Sequence, residues 1–182
     1  MKKYYFIIFF IFLNGETNAS IKKNIIHNLQ NLDNISFNFE QNINGKIEIG
    51  NCSIKYPKKI FCKYKLQNQK ILVSNGKSVV IKTNSSYYRY PIEKTPLNYI
   101  LNKDFLIKKI NDINERIIDE KFVNYKFFEN ENEINIFFDK NDFNLVGWQT
   151  IDIYQNLSIT FLSSIKRNSS IKNSLFKLPQ QN

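Results

Sequence analysis

The chain contains 182 residues, of which 42% are hydrophobic, 15% aromatic and 23% charged. This is enough apolar material for one packed domain, and it excludes a disordered chain, a collagen-like repeat and a multi-span membrane protein. Lys and Arg total 26 against 16 Asp and Glu, a formal net charge of +10, but no block of five or more like charges marks a binding tail, so we predict no nucleic-acid partner.

Residues 1–19 have the pattern of a signal peptide. Lys2 and Lys3 precede an unbroken apolar run over 4–13, and a polar stretch then ends with small residues at Thr17 and Ala19. That run is too short for a hydrocarbon core, which needs about 20 residues. The sequence therefore predicts export and a single mature domain over 20–182, with an uncleaved anchor as the alternative.

The mature chain begins with a helical pattern. Ile21, Ile25, Leu29 and Leu32 recur at helical spacing and form one apolar stripe. From Ile35 onward the period changes to two, as is typical of a half-buried strand. The sequence therefore predicts a helix followed directly by the first strand.

Strands and short helices follow in alternating blocks. Asn75-Gly76 is the strongest hairpin signal, because both residues accept the positive φ that a type I′ turn requires. Thr95-Pro96 provides an N-cap and a first-turn proline for a short helix. The predicted helices cover 97–101 and 104–110. The predicted strands cover 35–40, 46–56, 59–67, 69–74, 79–81, 87–90, 116–119, 123–128, 133–138, 147–154, 158–163 and 175–178.

Two cysteines lie at equal distances from Pro57, in segments that alternate with period two. Cys52 and Cys62 would then oppose each other across a hairpin, where the Cα atoms of antiparallel partners lie about 4.5–5.5 Å apart, within disulfide range. Export would let these thiols oxidise. We predict a disulfide, with free buried thiols as the alternative; the two cysteines and His27 are too few for a metal site.

Catalytic and cofactor motifs are absent from the sequence. The five glycines are isolated, and no G-x-S-x-G, G-x-G-x-x-G, P-loop, H-E-x-x-H or C-x-x-C pattern occurs. His27, the one histidine, lies off the apolar stripe of the first helix, where we expect it to be solvated. We therefore predict no catalytic residue, no cofactor and no enzymatic activity, with an exported lipid hydrolase as the competing hypothesis.

This order of elements favours a mainly β, α+β domain in which one strongly curved antiparallel sheet is covered by helices on its concave face. If the helices cover the sheet loosely, an apolar cavity remains. The aromatic side chains are suited to line such a cavity. An ordinary aromatic core is an equally good interpretation of the composition.

Several short segments, in this order, resemble the family of periplasmic outer-membrane lipoprotein carrier proteins, LolA. The resemblance covers nearly the whole mature chain. It implies an incomplete, strongly curved antiparallel β-barrel with helices forming a lid over the concave face. The segments are Phe37-Asn38-Phe39-Glu40-Gln41, Ile54-Lys55-Tyr56-Pro57, Val73-Ser74-Asn75-Gly76-Lys77, Thr95-Pro96-Leu97 and Leu145-Val146-Gly147-Trp148-Gln149-Thr150.

The resemblance also implies a function without catalysis. A member of this family would be a periplasmic monomer that binds the acyl chains of triacylated lipoproteins in an apolar cavity. It would receive them from an inner-membrane lipoprotein-releasing ABC transporter and deliver them to an outer-membrane lipoprotein acceptor. The alternative is an envelope sensor module of related fold that binds lipid or lipoprotein without transfer.

Strand parity and the resemblance together predict the residues of the acyl cavity, for each of which plain core packing is the alternative. They are Phe37, Phe39, Ile54, Tyr56, Ile60, Tyr64, Leu97, Ile100 and Leu101. Trp148 is interpreted as a structural anchor. The family's arginine before the hairpin proline, which resembles a latch between sheet and lid, is replaced here by Tyr56, and a tryptophan on the next strand by Cys62. A tyrosine hydroxyl donates one hydrogen bond where arginine offers five donors, so we expect the disulfide to stiffen this edge instead.

Overall fold

The computed structural model describes residues 16–65, 68–130, 132–151 and 155–181. The predicted signal peptide lies outside this part of the chain except for its last residues. In chain order the elements are α1 (Glu16–Gln30), β1 (Asn34–Ile43), β2 (Lys46–Lys55), β3 (Lys59–Tyr64), β4 (Ile71–Asn75), β5 (Ser78–Lys82), β6 (Tyr87–Pro91), a 3₁₀ turn (Ile92–Lys94), α2 (Leu97–Ile100), α3 (Lys103–Asp112), β7 (Arg116–Ile118), β8 (Phe122–Glu129), β9 (Asn132–Asp139), β10 (Leu145–Ile151), β11 (Leu157–Arg167) and a second 3₁₀ turn (Asn173–Phe176).

All strands belong to one antiparallel sheet of eleven strands, in the order β6-β5-β4-β3-β2-β1-β11-β10-β9-β8-β7. The two edge strands of the sheet, β6 and β7, are consecutive along the chain and are connected by α2 and α3. The helices therefore cross from one end of the sheet to the other. This confirms the predicted mainly β fold with a helical cover.

The predicted helices and the predicted strands through residue 163 are confirmed within a few residues of their ends. The parts of two strand predictions over 66–67 and 152–154 lie outside the described residues. Helix α1 begins at Glu16, earlier than the apolar stripe indicated. His27 is exposed, as predicted.

The predicted strand over 175–178 is wrong. Residues Asn173–Phe176 form a 3₁₀ turn that lies against β3 and β4. Phe176 is 3% exposed, and the same segment lies beside Ser36 and Ser53 on the convex side of the sheet. The apolar residues that suggested a strand cover that outer face instead of pairing with an edge.

The hairpin between β4 and β5 is present, but its turn is shifted by one residue. Ser74 pairs with Val79, which places Gly76 and Lys77 at the centre of the turn. Gly76 has φ of +95°, a conformation that favours glycine. The Asn75 side chain instead accepts hydrogen bonds from the backbone N–H groups of Lys77 and Ser78, both at 3.0 Å.

Cys52 and Cys62 form the predicted disulfide. They are directly opposed in the register of β2 and β3, and their Cα atoms lie 4.1 Å apart. Both side chains are buried on the concave face of the sheet. The bond therefore joins two neighbouring strands beneath the helices.

One half of the concave face is a solid core. Side chains from β8, β9 and β10 point toward α1 and α3 and are buried with them in one cluster. Ile134 and Phe138 are 0% exposed, and Ile25 and Leu106, from the two helices, are also 0% exposed. The apolar stripe of α1 thus packs as its spacing predicts.

Candidate functional site

The other half of the concave face encloses a cavity. It lies between the lid and strands β1 to β6, and it extends to residues of β10 and β11. We define the lid as Ile92–Ile100, the 3₁₀ turn together with α2. Its volume is about 500 Å³, within the range of about 300–1,000 Å³ that is typical of ligand pockets. A smaller void of about 50 Å³ lies next to it, lined by Phe39, Ile60 and the disulfide among others.

The lid side and the β4–β5 side of the cavity are apolar. Alternation along β4 and β5 places Leu72, Val79 and Ile81 on the concave face, and the lid adds Leu97 and Ile100. Because Leu72, Ile81 and Leu97 keep partial exposure, this wall is accessible to a ligand. Apolar surface of this kind gains free energy when an apolar ligand covers it.

The side formed by β1, β2 and the segment before β4 is polar. Glu48 is 4% exposed and forms ion pairs with Lys70 and, at 3.4 Å, with Lys46. The Lys70 ammonium also lies 4.1 Å from the centre of the Tyr64 ring. Burial, with the nearby Glu48 carboxylate as the second cause, raises the pKa of the Tyr64 hydroxyl above its usual value. The tyrosine is therefore a neutral hydrogen-bonding group.

The structure brings only some of the predicted site residues to the cavity. Tyr64, Leu97 and Ile100 line the large cavity. Tyr64 and Leu97 also line the small void, together with Phe39 and Ile60.

Four other predicted residues lie in the surrounding core. Phe37, Ile54, Tyr56 and Leu101 are at most 9% exposed and line neither of these two spaces. Parity placed Phe37, Ile54 and Tyr56 on the correct face of the sheet, whereas Leu101 directly follows α2. The helices cover this part of the face closely. Whether the nine residues bind a ligand remains a prediction.

Sequence reasoning missed most of the cavity lining. The alternation that selects Phe37 and Phe39 continues to Gln41 and Ile43, and the alternation through Cys52 extends back to Glu48. That parity is the signal that could have located Gln41, Ile43 and Glu48 in the sequence. Trp148 lines both spaces and packs edge-on against Phe37, with ring centres 6.2 Å apart.

Hydrogen bonds at the end of α2 join the lid to both halves of the molecule. The Leu101 carbonyl, directly after α2, accepts from the backbone N–H of Lys58 in the β2–β3 turn at 2.7 Å. The Tyr99 hydroxyl accepts from the Asn130 side chain, in the β8–β9 turn, at 2.7 Å. The Tyr56 hydroxyl is buried without a hydrogen-bond partner among the described residues, and burial raises its pKa. A side-chain latch at Tyr56 is therefore not formed.

Across the residues that the structure describes, no group of three or more His, Cys, Asp or Glu side chains is placed to hold a metal ion. Within the same ranges, no helix is both long enough and apolar enough to cross a membrane.

The described residues thus form a single curved antiparallel sheet, open at its ends, with helices that cover its concave face over an apolar-walled cavity. The family model described as outer membrane lipoprotein carrier protein LolA matches residues 30–179. The chain belongs to this family, which confirms the resemblance found in the sequence.

Several solved structures are similar to this chain at low sequence identity. A LolA superfamily protein from Nitrosomonas europaea is 8% identical, with a TM-score of 0.46 over 89% of this chain and 98% of that one. An uncharacterised conserved protein from Thermus thermophilus is 9% identical, with a TM-score of 0.50 over 91% and 96%. MucB, also known in a Pseudomonas aeruginosa MucA/MucB complex, is 8% identical, with a TM-score of 0.50 over 91% and 64%. A sequence search of curated proteins finds no significant match.

Proposed function

We propose that the protein is a periplasmic carrier of lipoproteins. Its cavity would hold the acyl chains of triacylated lipoproteins while they move from the inner to the outer membrane. The observation that supports this proposal is an apolar-walled space of about 500 Å³ beneath a helical lid, in a chain that belongs to the LolA family.

The physical need for such a cavity follows from the cost of exposing acyl chains to water. Each methylene group that leaves water for an apolar site contributes about 0.8 kcal/mol. A lipoprotein with several acyl chains therefore does not cross an aqueous compartment unaided. The partially exposed side chains of Leu72, Ile81 and Leu97 offer the apolar surface that would replace the membrane.

A carrier must also release its cargo. The lid contains one short helix, α2, of four residues, and hydrogen bonds to the turns of the sheet hold it at Ile92, Tyr99 and Leu101. A short cover held at a few points can open at a modest free-energy cost. We propose an inner-membrane lipoprotein-releasing ABC transporter as the donor and an outer-membrane lipoprotein acceptor as the recipient. Both exchanges would use this opening.

Catalysis is not part of the proposal. Members of the LolA family are carriers or binding proteins. Glu48, a carboxylate in the cavity wall, forms ion pairs with two ammonium groups. Hydrolysis of a bound ester would contradict this assignment.

The test is loading followed by transfer. The full chain is expressed in a Gram-negative periplasm and purified, and retained triacylated lipoprotein is detected by mass spectrometry. The loaded protein is then mixed with acceptor membranes. Retention followed by release supports the carrier. Retention without release would favour the envelope sensor module, and absence of retention would contradict both.

The lid variant Leu97→Glu places a charge against the apolar wall. We expect it to abolish retention while leaving the circular dichroism spectrum unchanged, because a buried carboxylate would meet the acyl chains. The matched control is Leu157→Glu, the same substitution at a residue 40% exposed on the convex face. Full retention by Leu97→Glu would show that the cargo lies elsewhere.

A further inference from the structure

The cavity is amphiphilic. The cavity reaches the turn between β1 and β2, where Ile43 and Lys46 line it as directly paired residues and the Lys46 side chain is 65% exposed. From this turn inward, the concave residues of β1 are Ile43, Gln41 and Phe39. Polar groups therefore lie on this side of the cavity together with Ile43, and the apolar side chains of Leu72, Ile81 and Leu97 lie on the other.

The polar groups are held in place by one another. The Gln41 side chain donates hydrogen bonds to the hydroxyls of Ser158 at 2.9 Å and Thr160 at 3.2 Å. Its oxygen accepts from the Tyr64 hydroxyl at 3.3 Å. This network occupies both donors of the Gln41 amide and holds this side of the cavity in place. The charged donors that line the cavity are the ammonium groups of Lys46 and Lys70.

The charged group carries one more positive than negative charge. Glu48 lies between Lys46 and Lys70, and all three line the cavity. Lys70 is only 18% exposed, yet an ammonium group has three donors, and Glu48 uses one of them. Burying charges costs free energy even when they are paired. The buried Glu48 and Lys70 are therefore less favourable for stability than apolar residues would be in this wall.

We propose, building on the proposed function, that this charged group binds an anionic group of the ligand. The cavity would then select amphiphiles that carry a carboxylate or a phosphate. The anion lies beside Glu48, on the ammonium donors of Lys46 and Lys70 that face the cavity, and the chain lies against Leu72, Ile81 and Leu97. Glu48 positions the lysines and, because it repels an anion, limits the affinity. A cationic headgroup is excluded by the same two ammonium groups.

The test measures the preference for an anion over a neutral group on the same chain. Dodecanoate, dodecyl phosphate and dodecanol each compete with the neutral dye Nile red for the full chain at pH 8.5. We expect each anion to bind at least about tenfold more tightly than dodecanol. Inorganic phosphate alone should displace no dye. Comparing dodecanoate with dodecyl phosphate separates a fatty-acid carboxylate from a lipid phosphate as the source of the anion.

Two variants predict changes of opposite sign. Glu48→Gln removes the repelling charge and should increase the preference for the anion at least about threefold. Lys70→Met alone leaves Glu48 paired with Lys46, a local net charge of zero, and should reduce the preference to below about threefold. The control is Lys109→Met, because Lys109 is also ion-paired, to Glu129 at 2.8 Å, and is 29% exposed, but lies on α3 away from the cavity.

The outcomes separate this inference from the carrier proposal. Equal binding of dodecanol and the two anions would overturn the charged subsite while leaving the apolar cavity intact. The charged subsite would also be overturned if Glu48→Gln lowers the preference, if Lys70→Met leaves it unchanged, or if Lys109→Met removes it. If none of the three amphiphiles displaces the dye, both the subsite and the acyl-binding cavity are wrong.

Discussion

The two halves of the concave face contain similar apolar side chains but use them differently. In the half formed by β8, β9 and β10, Ile134 and Phe138 are fully buried. In the half formed by β2 to β6, Ile81 and Leu72 line a cavity of about 500 Å³. The number of apolar side chains on the strands does not explain this difference.

Helix coverage explains it. The packed half is covered by α1, with 15 residues, and by α3, with 10. The hollow half is covered by α2, with four residues, and a 3₁₀ turn of three. A short helix cannot fill the concavity of a curved sheet, so side chains that would otherwise form a core remain accessible.

Truncating one isoleucine in each half tests whether the two halves differ in packing. We expect Ile134→Ala to lower the free energy of unfolding by about 2–5 kcal/mol, because it leaves a new cavity in a packed core. Ile81→Ala should cost only about 1 kcal/mol, because its side chain already borders an open space. Urea denaturation of both variants measures the difference. Equal losses would show that the hollow half is packed as tightly as the other.

Removing the disulfide tests what holds the strands beneath the cavity. The bond joins residues separated by 10 positions, and closing so short a loop contributes about 2–3 kcal/mol in the chain-entropy estimate. We expect the double variant Cys52→Ala, Cys62→Ala to lose that amount in urea denaturation. Reduction of the unsubstituted protein is the control, and it should lower the stability equally. If the free energy of unfolding falls by well below 1 kcal/mol, the disulfide does not stabilise this half of the molecule.

The hydrogen bond between lid and packed half gives the smallest expected effect. Tyr99→Phe removes the hydroxyl that accepts from Asn130 at 2.7 Å and should cost about 1 kcal/mol. Because the bond joins the lid to the β8–β9 turn, we expect Tyr99→Phe to accelerate amide hydrogen exchange more in Leu97–Ile100 than in α3. Asn130→Ala should produce the same change. Exchange that accelerates equally throughout the protein would indicate global destabilisation instead.

Local patterns account for most of the fold. Alternation with period two located each strand through residue 163, and the stripe containing Ile25 and Leu29 located α1. The predicted strand over 175–178 was wrong because a short apolar segment has the same sequence pattern whether it pairs within a sheet or packs on its surface. Phe176 packs on the surface of the sheet. The turn at Gly76 shifted by one residue because Asn75 hydrogen-bonds the turn from outside rather than occupying its centre.

The cavity was predicted less well than the fold. Parity assigned Ile54 and Ile60 to the same face, yet only Ile60 borders an open space. Glu48 and Lys70 were absent from the prediction, because charged residues beside a turn usually face water. Their burial follows from the opposing strands and the lid, which lie far away in the sequence.

By itself the sequence determined the strands through residue 163, the helices and the pairing of Cys52 with Cys62. Each depends on side chains that are close in the sequence, at most 10 positions apart for the two cysteines. Tertiary structure alone decided which half of the concave face is filled and which is hollow. It also decided that the ion pairs of Glu48 lie inside the cavity. These features depend on where helices of unequal length cross a curved sheet, and that is settled by contacts between distant parts of the chain.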